Sequence, residues 1–183
     1  MNFYFLDIVF YGLPVLFLVL QQKRKAGKVS LKQALNDLGF QNFEFRSFLK
    51  NTLVLLAVLL AINFALGLLA SLLPNNDLGK VDTAVRQLFA TAPILLIYLL
   101  TLRVIGEEIF FRGFLDKYTG PVLSSALFAL GHVGFGSWVE MAGAFILGLV
   151  LALSYRKNKT LYPNLAAHLL YNGILVGFLL FSR

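Results

Sequence analysis

The sequence predicts an all-α, polytopic membrane protein: a helical bundle of about six transmembrane helices, the later four of which carry the unusual polar residues. Three observations predict it. Of the 183 residues, 58% are hydrophobic and 14% charged, whereas soluble domains are roughly 45–50% apolar and about 25% charged. Five apolar stretches each approach the ~20 residues that a helix needs to cross ~30 Å of hydrocarbon. The 16 Lys and Arg are also unevenly spread. With the 21–51 loop placed inside and the spans alternating, 13 of them fall on the inner side: Lys23, Arg24, Lys25, Lys28, Lys32, Arg46, Lys50, Arg103, Arg112, Lys117, Arg156, Lys157 and Lys159. Lys80, Arg86 and Arg183 fall outside. This is the bias of the positive-inside rule, with both termini extracytoplasmic. It accounts for the net charge of +7 without a nucleic-acid partner.

The first stretch, Phe3 to Leu20, has no Lys or Arg ahead of it and no small-residue cleavage site, so it reads as a retained span rather than a signal peptide. In the inner loop that follows, Ser30 can cap a short helix whose Leu31, Leu35 and Leu38 recur at helical spacing. Phe40, Phe43, Phe45 and Phe48 then form an interfacial aromatic collar leading into the second span, Thr52 to Leu73. "PNNDLGKVD", residues 74–82, reads as an outer turn. It marks the boundary between a two-span N-terminal part, residues 1–83, and the four-helix part, residues 84–183.

The third span runs from Pro93 to about Lys117. The fourth, Pro121 to about Gly134, is short, and the fifth and sixth are Val139 to Tyr155 and Leu161 to Phe181. Gly143, Ala144 and Gly148 allow close helix packing on the fifth span. Trp138 reads as an outer-interface anchor and Glu140 as a solvated residue beside it. Cysteine is absent, which excludes disulfides and thiolate chemistry.

Four charged residues interrupt the third span. Arg103 and Glu107 are four apart, as are Glu108 and Arg112, so each pair can meet on neighbouring turns of a continuous helix. Each charge held at mid-membrane costs about 2.5–3.5 kcal/mol on insertion scales. Solvated ion pairs beyond the membrane surface would have the same spacing. The only two histidines, His132 and His168, both lie in apolar stretches. At 1.5 Å per residue, Glu107, His132 and His168 fall roughly 12–16 Å from the inner edge, in one layer. Asn172 lies one turn beyond His168 on the same face, placed to donate to a shared oxygen or to bond a neighbouring helix.

The motifs "EEIFFR" (Glu107, Glu108, Arg112), "FALGH" (Phe128, His132) and "HLLYN" (His168, Asn172) together resemble the EExxxR, FxxxH and HxxxN signatures of the CPBP intramembrane proteases. This family comprises the CAAX prenyl endopeptidases and the bacteriocin-processing, or Abi, proteins. The resemblance covers about residues 90–181 and implies a four-helix catalytic core. It implies that Glu107 activates water, His132 holds that water, His168 and Asn172 stabilise the oxyanion, and Glu108 and Arg112 brace the helix.

Glu107, His132 and His168 would also make a three-ligand zinc site with water as the fourth ligand. HExxH is absent, and the family is described both as metalloproteases and as glutamate proteases; a metal-independent mechanism is the preferred expectation. The resemblance further implies an intramembrane endopeptidase, a hydrolase of the prokaryotic cytoplasmic membrane, acting among lipids on a membrane-associated and conceivably prenylated peptide. A non-catalytic binding or bacteriocin-immunity protein is the alternative. A proton-coupled transporter is less well supported, since no inverted repeat is apparent.

Overall fold

The computed structural model describes residues 6–26 and 30–182, all helical or irregular with no strand among them. The start of the first expected span at Phe3, Lys28 of the basic loop, and Arg183 lie outside the described residues.

A π turn, Ile8–Gly12, leads into α1 (Leu13–Ala26). The short α2 (Leu31–Asp37) starts at Ser30, whose hydroxyl accepts from Gln33 N at 3.4 Å. The expected cap is therefore present. Then come α3 (Phe45–Ser71) and α4 (Gly79–Thr91). The long α5 is built from Pro93–Tyr98, Leu99–Arg103, Val104–Glu107 and Glu108–Leu115, its second and fourth segments being π-helical. Its continuation α6 (Asp116–Leu130) breaks at Gly120, whose φ of 83° and ψ of 167° only glycine adopts readily. After a 3-10 turn, Val133–Phe135, α7 (Trp138–Asn158) and α8 (Tyr162–Phe181) complete the chain.

By length and composition, α3, α7 and α8 are long and apolar enough to cross a membrane. The six expected spans exceed these three, and the physical reasons are local. α5 carries Arg103, Glu107, Glu108 and Arg112 along its length, and α6 is short. The outer connection after residue 74 also holds more structure than a turn. α4 forms there, packs beside α8, and ties Arg86 Nη2 to the Ser182 carbonyl at 3.2 Å.

Packing brings the helices together in three apolar clusters. Phe10, Phe111, Phe128, Ala129 and Ala144 form one, and Leu55, Leu59, Leu151, Ala167 and Tyr171 a second. The third joins Leu18 and Phe114 to Ala34 and Leu38. The short α2 is thus docked into the bundle through one side while Leu31 stays exposed on the other. The Phe collar is docked too: Phe43 lies 4.6 Å from the Tyr162 ring and 5.2 Å from that of Phe48, and Phe40 lies 5.8 Å from Tyr162. Gly148 meets Phe128 closely, as the small-residue pattern requires, whereas Gly143 faces open space.

Both ends of the bundle are clamped. At one end Leu161 N donates to the Gly39 carbonyl at 2.9 Å, and a Cβ on Gly113 would lie 2.5 Å from the Leu38 carbonyl oxygen. That close approach fixes α2 against α5. At the other end Asp77 accepts from the Ser137 hydroxyl at 2.7 Å, Trp138 N at 3.0 Å and Val139 N at 3.4 Å, securing the first turn of α7. Desolvation acts to raise the Asp77 carboxyl, but these donors and nearby Lys80 outweigh it and hold the group below its ordinary value.

Two outcomes follow from these clamps. Gly113→Ala must push backbone aside and should destabilise the protein by about 1–3 kcal/mol, read as a lower Tm in detergent; an unchanged Tm would show that α2 is not seated there. A depressed carboxylate stabilises the fold above its unfolded pKa, and that contribution is lost as pH falls through the folded value. The Tm gap between wild type and Asp77→Asn should be full near pH 7 and close well below about pH 4. A gap that persists in acid would show that the charge does not hold this clamp.

Candidate active site

The site is built around a carboxylate with no access to solvent. Glu108, in α5, is 0% exposed. Its Oε1 receives His168 Nδ1 from α8 at 2.9 Å, and Oε2 receives Asn164 Nδ2, one turn earlier on α8, at 3.3 Å. Arg112 Nη1 approaches Oε1 at 3.4 Å from the next turn of α5. A carboxylate only accepts, so with Glu108 ionised His168 donates from Nδ1 and its Nε2 points to other partners. Asn164 Nδ2 also donates to the Leu151 carbonyl of α7 at 2.8 Å. Arg112 reaches the Gly148 carbonyl at 3.5 Å and stacks over Phe128 with 4.2 Å to the ring centroid. Helices α5, α6, α7 and α8 are thereby tied to one buried charge.

Glu107, its neighbour in sequence, points elsewhere. Its Oε1 receives Arg103 Nε at 3.4 Å and its side chain is 15% exposed. The two expected pairs of the third span are both present, despite the π segments that interrupt the α-helical hydrogen bonding on either side of Val104–Glu107.

His132 is not inside a helix as expected. α6 ends at Leu130, and His132 follows with φ −93° and ψ 0°, leading into the 3-10 turn. The glycines at 131, 134 and 136 favour that end, and Gly136 takes a left-handed φ of 67°. The His132 Nδ1 pairs with the Phe128 carbonyl at 3.0 Å. Phe128 lies between the two imidazoles, 4.7 Å from the His132 ring and 6.1 Å from that of His168. Glu140, expected to be solvated, is half-buried and within Coulombic reach of His132.

The structure therefore brings His168, Glu108 and Arg112 into direct contact, and it joins His132 to them through Phe128. It does not bring Glu107 into hydrogen-bond contact with either histidine, whose recorded partners are Glu108 and the Phe128 carbonyl. Asn172 is half-buried one turn beyond His168, and no side-chain hydrogen bond ties it to the described residues. No three His, Asp or Glu groups gather to hold a metal ion among the described residues. The conditional zinc set of Glu107, His132 and His168 is thus not gathered as one cluster among the described residues.

Two residues were missed. Asn164 has the same four-residue spacing from His168 as Asn172 and follows Pro163 in the first turn of α8, so spacing was available as a signal. Asp7 lies in the first apolar stretch, where nothing near it in sequence marks it. In the fold it receives Arg103 Nη1 at 2.9 Å.

Residues 89–174 match the type II CAAX prenyl endopeptidase family, Rce1-like. The match covers 86 of the 183 residues, a little under half of the chain. The matched segment runs from the end of α4 through α5, α6 and α7 into α8, and contains every residue that contacts Glu108. The matched family is one of peptide hydrolases, the type II CAAX prenyl endopeptidases. No curated protein and no solved structure matches the chain.

Within the matched segment, Asn164→Ala would leave a buried carboxylate oxygen without its donor and remove the side-chain bond to the Leu151 carbonyl. The expected cost is about 1–3 kcal/mol, measured as a lower Tm and lower yield in detergent. A neutral substitution would mean that Arg112 and His168 satisfy Glu108 unaided.

Proposed function

We propose that the chain is an intramembrane endopeptidase that cleaves a membrane-associated, prenylated CAAX-type peptide near the inner face, using water activated by Glu107. The reading rests most on the unequal commitment of the two adjacent carboxylates. Glu108 is enclosed and occupied by His168, Asn164 and Arg112, which suits a brace. Glu107 keeps partial exposure and one oxygen outside the Arg103 contact, which suits a group that must reach water and take its proton.

In this mechanism water attacks the scissile carbonyl carbon while Glu107 accepts its proton. The tetrahedral oxyanion is stabilised by donors already in place. His168, as the imidazolium that Glu108 pairs with through Nδ1, also donates from Nε2, and Asn172 offers its amide from the next turn. His132 holds the water. As the C–N bond breaks, the proton passes from Glu107 to the leaving amine. No step runs through a metal. The basic inner surface and the protein's apolar helices suit a substrate presented from the inner leaflet by a lipid tail.

The test is cleavage of a farnesylated CAAX peptide by the purified protein in proteoliposomes, read by mass spectrometry, beside an unprenylated control. Glu107→Gln should lower kcat by about 10²–10⁴ while the protein remains inserted with an unchanged Tm. Undiminished cleavage by that variant would remove Glu107 from the role. An inert wild type with both peptides would favour the binding-protein alternative.

A further inference from the structure

Arg103 is 8% exposed and serves two carboxylates from different parts of the chain. Nη1 lies 2.9 Å from Asp7 Oδ1, ahead of the first π turn, and Nε lies 3.4 Å from Glu107 Oε1. The other Asp7 oxygen accepts from the Tyr98 hydroxyl. The N-terminal segment is held in place around this point. Phe10 lies beneath the Arg103 guanidinium at 4.5 Å, the Tyr11 hydroxyl donates to the Leu102 carbonyl, and a Cβ on Gly106 would lie 2.9 Å from the Tyr11 ring. Glycine at 106 is what lets Tyr11 approach α5 so closely.

We infer that Asp7 is a positioning residue for the reaction, acting through Arg103 on Glu107; the inference rests on Glu107 being the base. A single guanidinium shared by two carboxylates neutralises each less than it would one alone, and here the shorter contact goes to Asp7. Asp7 therefore holds Arg103 back from Glu107 and leaves one oxygen of that carboxylate open. Without Asp7, Arg103 is free to fork onto both oxygens of Glu107 and close the one that would meet water. The N-terminal segment, outside the family match, thereby supplies a part of the catalytic environment.

The farnesylated CAAX peptide in proteoliposomes is the probe. Asp7→Asn should lower kcat about tenfold, with KM within about twofold and Tm little changed. In an Arg103→Gln background the same substitution should change kcat by less than about twofold, because the intermediary is gone. Arg103→Lys gives a second route should Asp7→Asn fail to accumulate: it keeps the charge but cannot bridge two carboxylates with a fork, and kcat should again fall about tenfold. Unchanged kcat in Asp7→Asn or in Arg103→Lys overturns the inference, as does an equal loss from Asp7→Asn with and without Arg103, which would mark Asp7 as a mere anchor. An inactive wild type sinks the protease reading instead, so the two failures are distinct.

Discussion

The bundle depends on satisfying one carboxylate that has no contact with water. An unpaired charge at such depth would cost several kcal/mol, and Glu108 avoids that by drawing donors from α5 and α8. Those donors are fixed in turn by α6 and α7, through the Phe128 ring under Arg112 and the carbonyls of Gly148 and Leu151. Helix packing and site assembly are therefore one problem. The glycine at 148 belongs to the same solution, since a side chain there would crowd Phe128 and displace the guanidinium it carries.

The four-helix core was legible because charge in an apolar chain is rare and its spacing is informative. The pairs Arg103–Glu107 and Glu108–Arg112 follow from i,i+4 geometry alone. Depth put His168 in one layer with Glu107 and His132, whereas the contact it makes is with Glu108; a contact between α5 and α8 leaves no trace in local pattern. His132 misled because the apolar run continues past it; the glycines around it end α6 one turn sooner than hydrophobicity suggests. The π segments of α5 left no signal in the apolar pattern. Asn164 and Asn172 are equivalent by spacing, and only the position of α7 decides which one reaches Glu108.

Less legible still was the part played by segments outside the core. The outer connection was read as a turn, yet it forms α4 and supplies Asp77 to the start of α7. The inner loop was read as a short capped helix and an interfacial aromatic collar, yet Leu38 is buried and the Gly39 carbonyl takes the Leu161 amide. Each is a long-range pairing between a short polar segment and a helix end. Orphan backbone groups at helix ends require partners, but sequence does not say which distant residue provides them. These clamps hold α5, α7 and α8 in the longitudinal register that the Glu108 network needs.

Adjacent glutamates on a helix point in directions about 100° apart, so Glu107 and Glu108 face different neighbours. One turns inward to α8 and is fixed by two hydrogen bonds and an ion pair; the other turns toward the N-terminal segment and shares a single arginine. A group that organises a site must be held, and a group that moves a proton must not be fully neutralised. A single carboxylate could not meet both demands in an apolar interior. Two in sequence can, because the backbone sends them to environments of opposite character while keeping both within reach of α5's own arginines. In the proposed mechanism the EE dipeptide separates the two tasks.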